Sequence, residues 1–197
     1  MEQSWSGCRM SRGRRQDRLS HWLTIIEVPM LRRTLVLLLL SLPVFAATTP
    51  RPLADIFVST TDTKKIPLKQ YKGKVVLIVM IATTCKACGE SVQMLNKVQK
   101  DFGPRGAQVI AVAINDNAAY LLEPFVQRYR PIFPVGYLDR EPAMQLAAFK
   151  KDDHPFVPIF LFVDRKGIVR FQYFGNEAFF KEEEKGTRGI MEGLLRQ

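Results

Sequence analysis

An α/β fold, with a central mixed β-sheet flanked by helices, is predicted by three features of the chain. Val75 to Ile81 and Val109 to Ile114 are unbroken apolar runs that read as buried strands. Each is followed by a segment with helical spacing, the strand–helix alternation of a layered α/β domain. Pro158 to Val163 and Ile168 to Phe174 then flank the turn Asp164 to Gly167, which signals an antiparallel hairpin.

The elements follow in order. Residues 47–54, with Pro50 and Pro52, form an extended lead-in. Ile56 to Val58 and Ile66 to Leu68 flank a polar turn and predict a small N-terminal hairpin. Gly73 precedes the first buried strand. The helix that starts near Cys85 places Cys88, Val92, Leu95, Val98 and Phe102 on one side and stops at Gly103 and Pro104. Asn115 to Asn117 closes the second strand, and a helix runs on to Tyr129 with Pro124 near its first turn or kinking it. Phe133 to Leu138 is a short extended piece. Asp139 is placed to cap a helix through Phe149, with Pro142 in its first turn. Lys150 to Phe156 is a charged loop that holds His154. A terminal helix from about Phe179 carries Gly186, Gly189 and Gly193, which weaken it. No internal repeat or interdomain linker is visible.

The chain has 197 residues, room for one domain of about 150 residues plus processing segments. Its 47% apolar and 24% charged content is that of a globular protein rather than a disordered one. Met30 to Arg33 is a short basic start, Thr34 to Leu42 an apolar stretch, and Val44 and Ala46 are small residues at cleavage-site spacing. Residues 30–46 therefore read as a secretory signal peptide, since the apolar stretch Leu35 to Ala47 is shorter than the roughly 18 residues of a membrane span, and an uncleaved anchor is the weaker reading. Residues 1–29, rich in Arg and Ser, read as upstream or leader sequence, and residues 47–197 as the folded domain. Removing residues 1–46 takes away seven Lys/Arg and three Asp/Glu and lowers the net charge from +10 to about +6. Without a Lys/Arg stripe interleaved with aromatics, nucleic acid is not an expected partner.

The same cut removes Cys8 and leaves Cys85 and Cys88 as the only cysteines. In an exported chain a single C-x-x-C pair reads as a redox site, not a disulfide framework. A bridge across so short a loop would stabilise the fold only weakly. At a strand-to-helix junction the first sulfur meets the unpaired N–H groups and positive dipole end of the helix, which favour the thiolate that attacks disulfides. Lys86 adds positive charge beside it, and Glu90, one turn on, is placed to pair with Lys86 at about 0.3–0.5 kcal/mol. The expected chemistry is attack by Cys85 on a disulfide, followed by resolution by Cys88.

Apolar strand, C-x-x-C, helix and the later Phe156 to Gly167 segment together resemble the thioredoxin-fold proteins. Within them the chain is most similar to exported thiol–disulfide oxidoreductases of the TlpA/ResA type, over roughly residues 52–195. The Tyr71 to Lys74 lead-in and an insertion between Asn115 and Phe149 fit that group. The resemblance implies a thioredoxin-like fold with an N-terminal hairpin and a central insertion. It implies that Pro158 is cis and that Val157 docks substrate through its backbone, with Thr84 beside them. It further implies a reductase of the periplasm or outer face of the cytoplasmic membrane. Its partners would be protein disulfides or dithiols, including apocytochrome c or other envelope proteins, and a membrane-embedded thiol electron donor. A monomer is expected, with no cofactor beyond the redox-active Cys85–Cys88 disulfide and no resident metal.

The chain departs from that pattern at Thr84, where Trp is common, at Ala87, where Pro is common, and at Gln93, where a helix-kinking Pro is replaced. Val79 stands where a buried acid or Asn is often found, so no group is assigned to deprotonate Cys88. His154 could serve as a modulator or, with Cys85 and Cys88, as a copper ligand of the Sco type, although that family spaces its cysteines C-x-x-x-C. A peroxiredoxin-like peroxidase would want Thr or Ser where Ala82 stands. The aromatics Phe160, Phe162, Phe171, Tyr173 and Phe174 are expected to fill core and sheet faces, and Glu182 to Glu184 to begin a solvated helix.

Overall fold

The computed structural model describes residues 49–197 apart from Thr63 and Lys151. The expected leader and signal peptide lie outside the described residues.

All seven residues of β4 (Val75–Ile81) are apolar and buried, which makes it the centre of the sheet. A strand apolar on both faces must be covered on both. Val75, Leu77, Val79 and Ile81 enter one core, and Val76, Ile78 and Met80 the other. β5 (Ala107–Ala113) pairs parallel along one edge of β4, and β7 (Ile159–Val163) antiparallel along the other. β8 (Ile168–Tyr173) returns from β7 as the expected hairpin.

The helices cover these faces as their apolar spacing requires. α1 (Lys86–Phe102) buries Cys88, Val92, Leu95, Val98 and Phe102. α2 (Ala118–Tyr129) adds Leu122 and Phe125 to the same core. α3 (Arg140–Ala147) covers the opposite face with Ala143 and Leu146. α4 (Glu183–Leu195) packs Met191 and Leu194 beside α1. The fold is thioredoxin-like, a mixed sheet between helices.

Several local expectations shift. Of the two places expected for Pro124, the helix interior is the one observed, beyond the first turn of α2. Asp139 precedes α3 but makes no side-chain cap hydrogen bond, and the helix ends at Ala147. The terminal helix begins as a 3-10 turn, Ala178–Glu182, before α4. Phe160 and Phe162 are fully buried and Tyr173 stacks on Phe179 at 4.2 Å, as core aromatics, whereas Phe171 is 41% exposed.

The N-terminal hairpin, β2 (Phe57–Ser59) with β3 (Lys65–Pro67), does not stand apart. It joins the far edge of the sheet through β6 (Val135–Tyr137), Ser59 opposite Tyr137. A side chain at Gly136 would collide with the Ser59 carbonyl, so glycine permits this close approach. β1 (Arg51–Pro52) closes the other edge on β8, giving eight strands in the order β1-β8-β7-β4-β5-β6-β2-β3.

The β7–β8 turn is held by Asp164, 5% exposed. Its Oδ1 accepts the N–H groups of Lys166 and Ile168 at 2.9 Å, and its Oδ2 accepts Arg170 Nε at 2.7 Å. Burial would raise this carboxyl, but the two N–H groups and the guanidinium outweigh it and hold its pKa below the usual value. Asp164→Asn is expected to cost about 1–3 kcal/mol at neutral pH, measured by urea unfolding. A lowered native value means the stabilisation is present above the unfolded carboxylate range and is lost as pH falls through the native value. The parent should therefore lose its advantage over the variant on acidification.

Candidate functional site

The C-terminal ends of β4 and β5 and the start of β7 meet at one end of the sheet, and the cysteine pair sits there. Beyond β4 the chain turns through Ala82, Thr83 and Thr84, closed by the Cys85 N–H donating to the Ala82 carbonyl at 3.0 Å. Cys85 then stands as N-cap of α1 with extended backbone, φ −86° and ψ 116°. Its Sγ accepts the N–H of Cys88 at 3.2 Å, the role an N-cap oxygen usually plays. Cys85 is half-buried and Cys88 fully buried, so only the first sulfur is open to a large partner.

Both cysteines are free thiols. Burial pushes the Cys88 thiol up, and its hydrogen bond to Cys85 adds to this, while the N–H of Ala82 works in the opposite direction. Val79, the residue in place of a buried acid, belongs to the same apolar core as Cys88. Lys86 is exposed and lies 3.5 Å from Glu90, as the spacing suggested. Thr84 is exposed on the turn.

The Val157–Pro158 bond is cis, as the resemblance implied, and Pro158 is buried. Met80 pairs with Ile159, and continuing that register puts Val157 opposite Ala82, three residues before Cys85. Among the described residues the N–H and C=O of Val157 enter no backbone hydrogen bond, while Gly175 N–H donates to the neighbouring Phe156 carbonyl at 2.9 Å. Cys85, Cys88, Thr84, Val157 and Pro158 are thus gathered at one end of the sheet.

His154 is exposed and sits to the side, in a cavity of about 260 Å³ shared with Asn115, Arg140, Asp153 and Val157. Among the described residues no group of three or more His, Cys, Asp or Glu side chains is placed to hold a metal ion. His154 therefore does not complete a ligand set with the two sulfurs.

Two features escaped the sequence. Asn115, read only as the end of a strand, hydrogen bonds to Thr83 in the turn before Cys85. Its place at the C-terminal end of a parallel strand is the signal that could have marked it. Glu183 corrects the expectation of a wholly solvated acidic helix start. Glu182 and Glu184 pair outward with Lys185 and Arg188, at 2.6 and 3.0 Å. Glu183 turns inward toward Ser91 on α1 and leaves Oε1 buried with no hydrogen-bond partner among the described residues, and Thr187 one turn on leaves Oγ1 likewise.

Burial raises the Glu183 carboxyl, with Ser91 opposing and Glu90 adding to the rise. A raised native value gives stability that is full below the unfolded carboxylate range and is lost as pH rises through the native value. Glu183→Gln should remove that loss. At pH 7 the variant is expected to match or exceed the parent, by no more than about 1 kcal/mol because the side chain keeps partial solvent screening. The gap should close below pH 4 in urea titrations.

Among known proteins the chain is similar to the thiol-disulfide oxidoreductase ResA of Bacillus thuringiensis subsp. konkukian. Identity is 32% over 82 residues, which cover 42% of this chain and 47% of that protein. The chain thus spans about half the length of the ResA relatives it matches. The thioredoxin-like protein YneN of Bacillus subtilis is 27% identical over 135 residues, covering 66% of this chain and 74% of YneN. The crystal structure of a putative thiol:disulfide interchange protein DsbE from Chlorobium tepidum superposes with a TM-score of 0.64 at 20% identity, over 75% of this chain and 98% of that one. That likeness establishes the fold. Residues 49–172, from the first described residues through β7 and most of β8, match a single family model, and the chain belongs to the AhpC/TSA family.

Proposed function

We propose that this protein is an exported thiol–disulfide oxidoreductase acting as a disulfide reductase on envelope proteins. The observation that carries the reading is the half-exposed Cys85 sulfur at the N-cap of α1, with Cys88 buried behind it and donating its N–H at 3.2 Å. A sulfur in that position is open to an incoming disulfide, and its partner lies within one helical turn.

The Cys85 thiolate attacks one sulfur of a substrate disulfide and expels the other as a thiolate, giving a mixed disulfide. Cys88 gives up its proton and attacks Cys85 Sγ, which expels the second substrate thiolate and leaves Cys85 and Cys88 bridged. The substrate disulfide gains two electrons and the dithiol loses two. A membrane-embedded thiol donor returns them by the same exchange in reverse. The bridge is the only redox group this cycle needs. Val157, whose N–H and C=O enter no backbone hydrogen bond among the described residues, is the rung on which an extended substrate segment pairs, with Pro158 and Thr84 flanking it. Lys86 and His154 modulate charge around the attacking sulfur and the neighbouring cavity. Apocytochrome c, handled during cytochrome c biogenesis, is the client class that the resemblance to the TlpA/ResA type implies, and the periplasm or outer face of the cytoplasmic membrane its place. Among the described residues no helix is long and apolar enough to cross a membrane.

Turnover of a protein disulfide by the reduced protein tests the reading. Cys85→Ser should abolish it, and the potential of the Cys85–Cys88 couple should lie near that of thioredoxin, about −270 mV. Full activity without Cys85 would sink the proposal. Peroxide consumption faster than that of a simple dithiol would point instead to a peroxidase.

A further inference from the structure

The backbone ladder between β4 and β5 ends when the Ile114 N–H donates to the Ile81 carbonyl at 2.9 Å. One residue further, a side chain continues it. Asn115 Oδ1 accepts the Thr83 N–H at 2.9 Å and lies 3.3 Å from Thr83 Oγ1. Its Nδ2 donates to Thr83 Oγ1 at 3.1 Å and to the Asp116 carbonyl at 2.9 Å. These contacts orient the amide, because the reversed arrangement would set a donor against the Thr83 N–H and an acceptor against the Asp116 carbonyl. Asn115 is itself held, since the Ala118 N–H donates to its carbonyl at 3.2 Å as α2 begins.

The turn so clamped leads directly into the cysteine pair, with Cys85 at its end as N-cap of α1. Its first residue, Ala82, accepts the Cys85 N–H at 3.0 Å, and its backbone N–H opposes the rise of the Cys88 thiol. Its last is Cys85, whose Sγ accepts the Cys88 N–H. We propose that Asn115 is a positioning residue for the dithiol, holding the Ala82–Cys85 turn so that the Ala82 N–H supports the Cys88 thiolate during resolution. The inference rests on the redox reading of the pair but not on the identity of any client. Without the amide, the Thr83 N–H loses its partner at the end of the ladder, and the turn relaxes away from Cys88. Resolution then slows because less Cys88 is ionised at neutral pH.

The test uses the full reduced protein and an aromatic disulfide, 5,5′-dithiobis(2-nitrobenzoate). Attack by Cys85 releases one coloured thiolate and leaves the other bound. Attack by Cys88 on Cys85 Sγ releases the second and forms the internal bridge, so the two steps are read separately. Asn115→Ala is expected to slow the second release about tenfold at pH 7, with its pH profile moved to higher pH and the first release little changed. Asn115→Asp keeps the acceptor for Thr83 and should restore most of the rate. If Asn115→Ala does not fold, Asn115→Ser takes its place, since its shorter side chain cannot span to the Thr83 N–H. A parent-like second release and pH profile in these variants would overturn the proposal. So would equal losses in the Asp and Ala variants, or a lowered melting temperature with the pH profile unmoved. Failure of the parent itself to give two releases would count against the redox reading instead.

Discussion

Cys88→Ala should turn the protein into a trap for its own substrate. With Cys88 absent, the mixed disulfide on Cys85 has no internal nucleophile and must wait for an external thiol. Well-placed intramolecular groups act at effective concentrations far above those of free reagents, about 10⁵ M or more in favourable cases. Turnover should therefore fall by on the order of 10²-fold or more. Adducts that disappear on reduction should accumulate in non-reducing gels, and mass spectrometry of the adduct should name the client. The asymmetry follows from burial, since Cys88 is 0% exposed and Cys85 half-buried. If Cys85→Ala trapped adducts and Cys88→Ala did not, the two roles would be reversed.

Gly175→Ala should damage both stability and exchange, although Gly175 lies far from the cysteines in sequence. A Cβ at this position would sit 2.5 Å from the Val157 oxygen, 2.7 Å from its carbonyl carbon and 3.1 Å from Pro158 N. These are backbone atoms and cannot rotate aside as a long side chain could. The residues after β8 must move outward, or Val157 must move toward Ala82. Overpacking of this kind costs about 1–3 kcal/mol. The functional loss should be larger, because Val157 is the proposed pairing edge for substrate and a shift of about 1 Å in a reacting geometry can cost 10²-fold. Thermal unfolding and disulfide turnover on one preparation separate the two effects. A variant with parent-like turnover would show that the position of Val157 is immaterial to exchange.

Much of the fold was legible because its elements announce themselves locally. β4 and β5 are continuous apolar runs, and α1 carries its buried residues at helical spacing and ends at Phe102, just before Gly103 and Pro104. The β7–β8 hairpin brackets its turn in the same way. Less legible were features whose cause lies elsewhere in the chain. Ile56 to Val58 read only as one arm of a small hairpin, whereas the strand, Phe57–Ser59, also extends the main sheet because the Gly136 backbone lets Ser59 approach. Glu183 looked like its neighbours Glu182 and Glu184, but the packing of α4 on α1 turns it toward Ser91.

The cysteine pair, the order of its two sulfurs and the helix that follows were determined by the sequence alone, since spacing and helix polarity act over a few residues. Which distant residues surround the pair was decided only in three dimensions. Register along β4 and β7 places Val157 against Ala82, and parallel pairing of β5 delivers Asn115 to Thr83. The physical reason is that a turn's partners are set by which strand ends lie side by side, and long-range pairing leaves no periodic mark in the residues it joins.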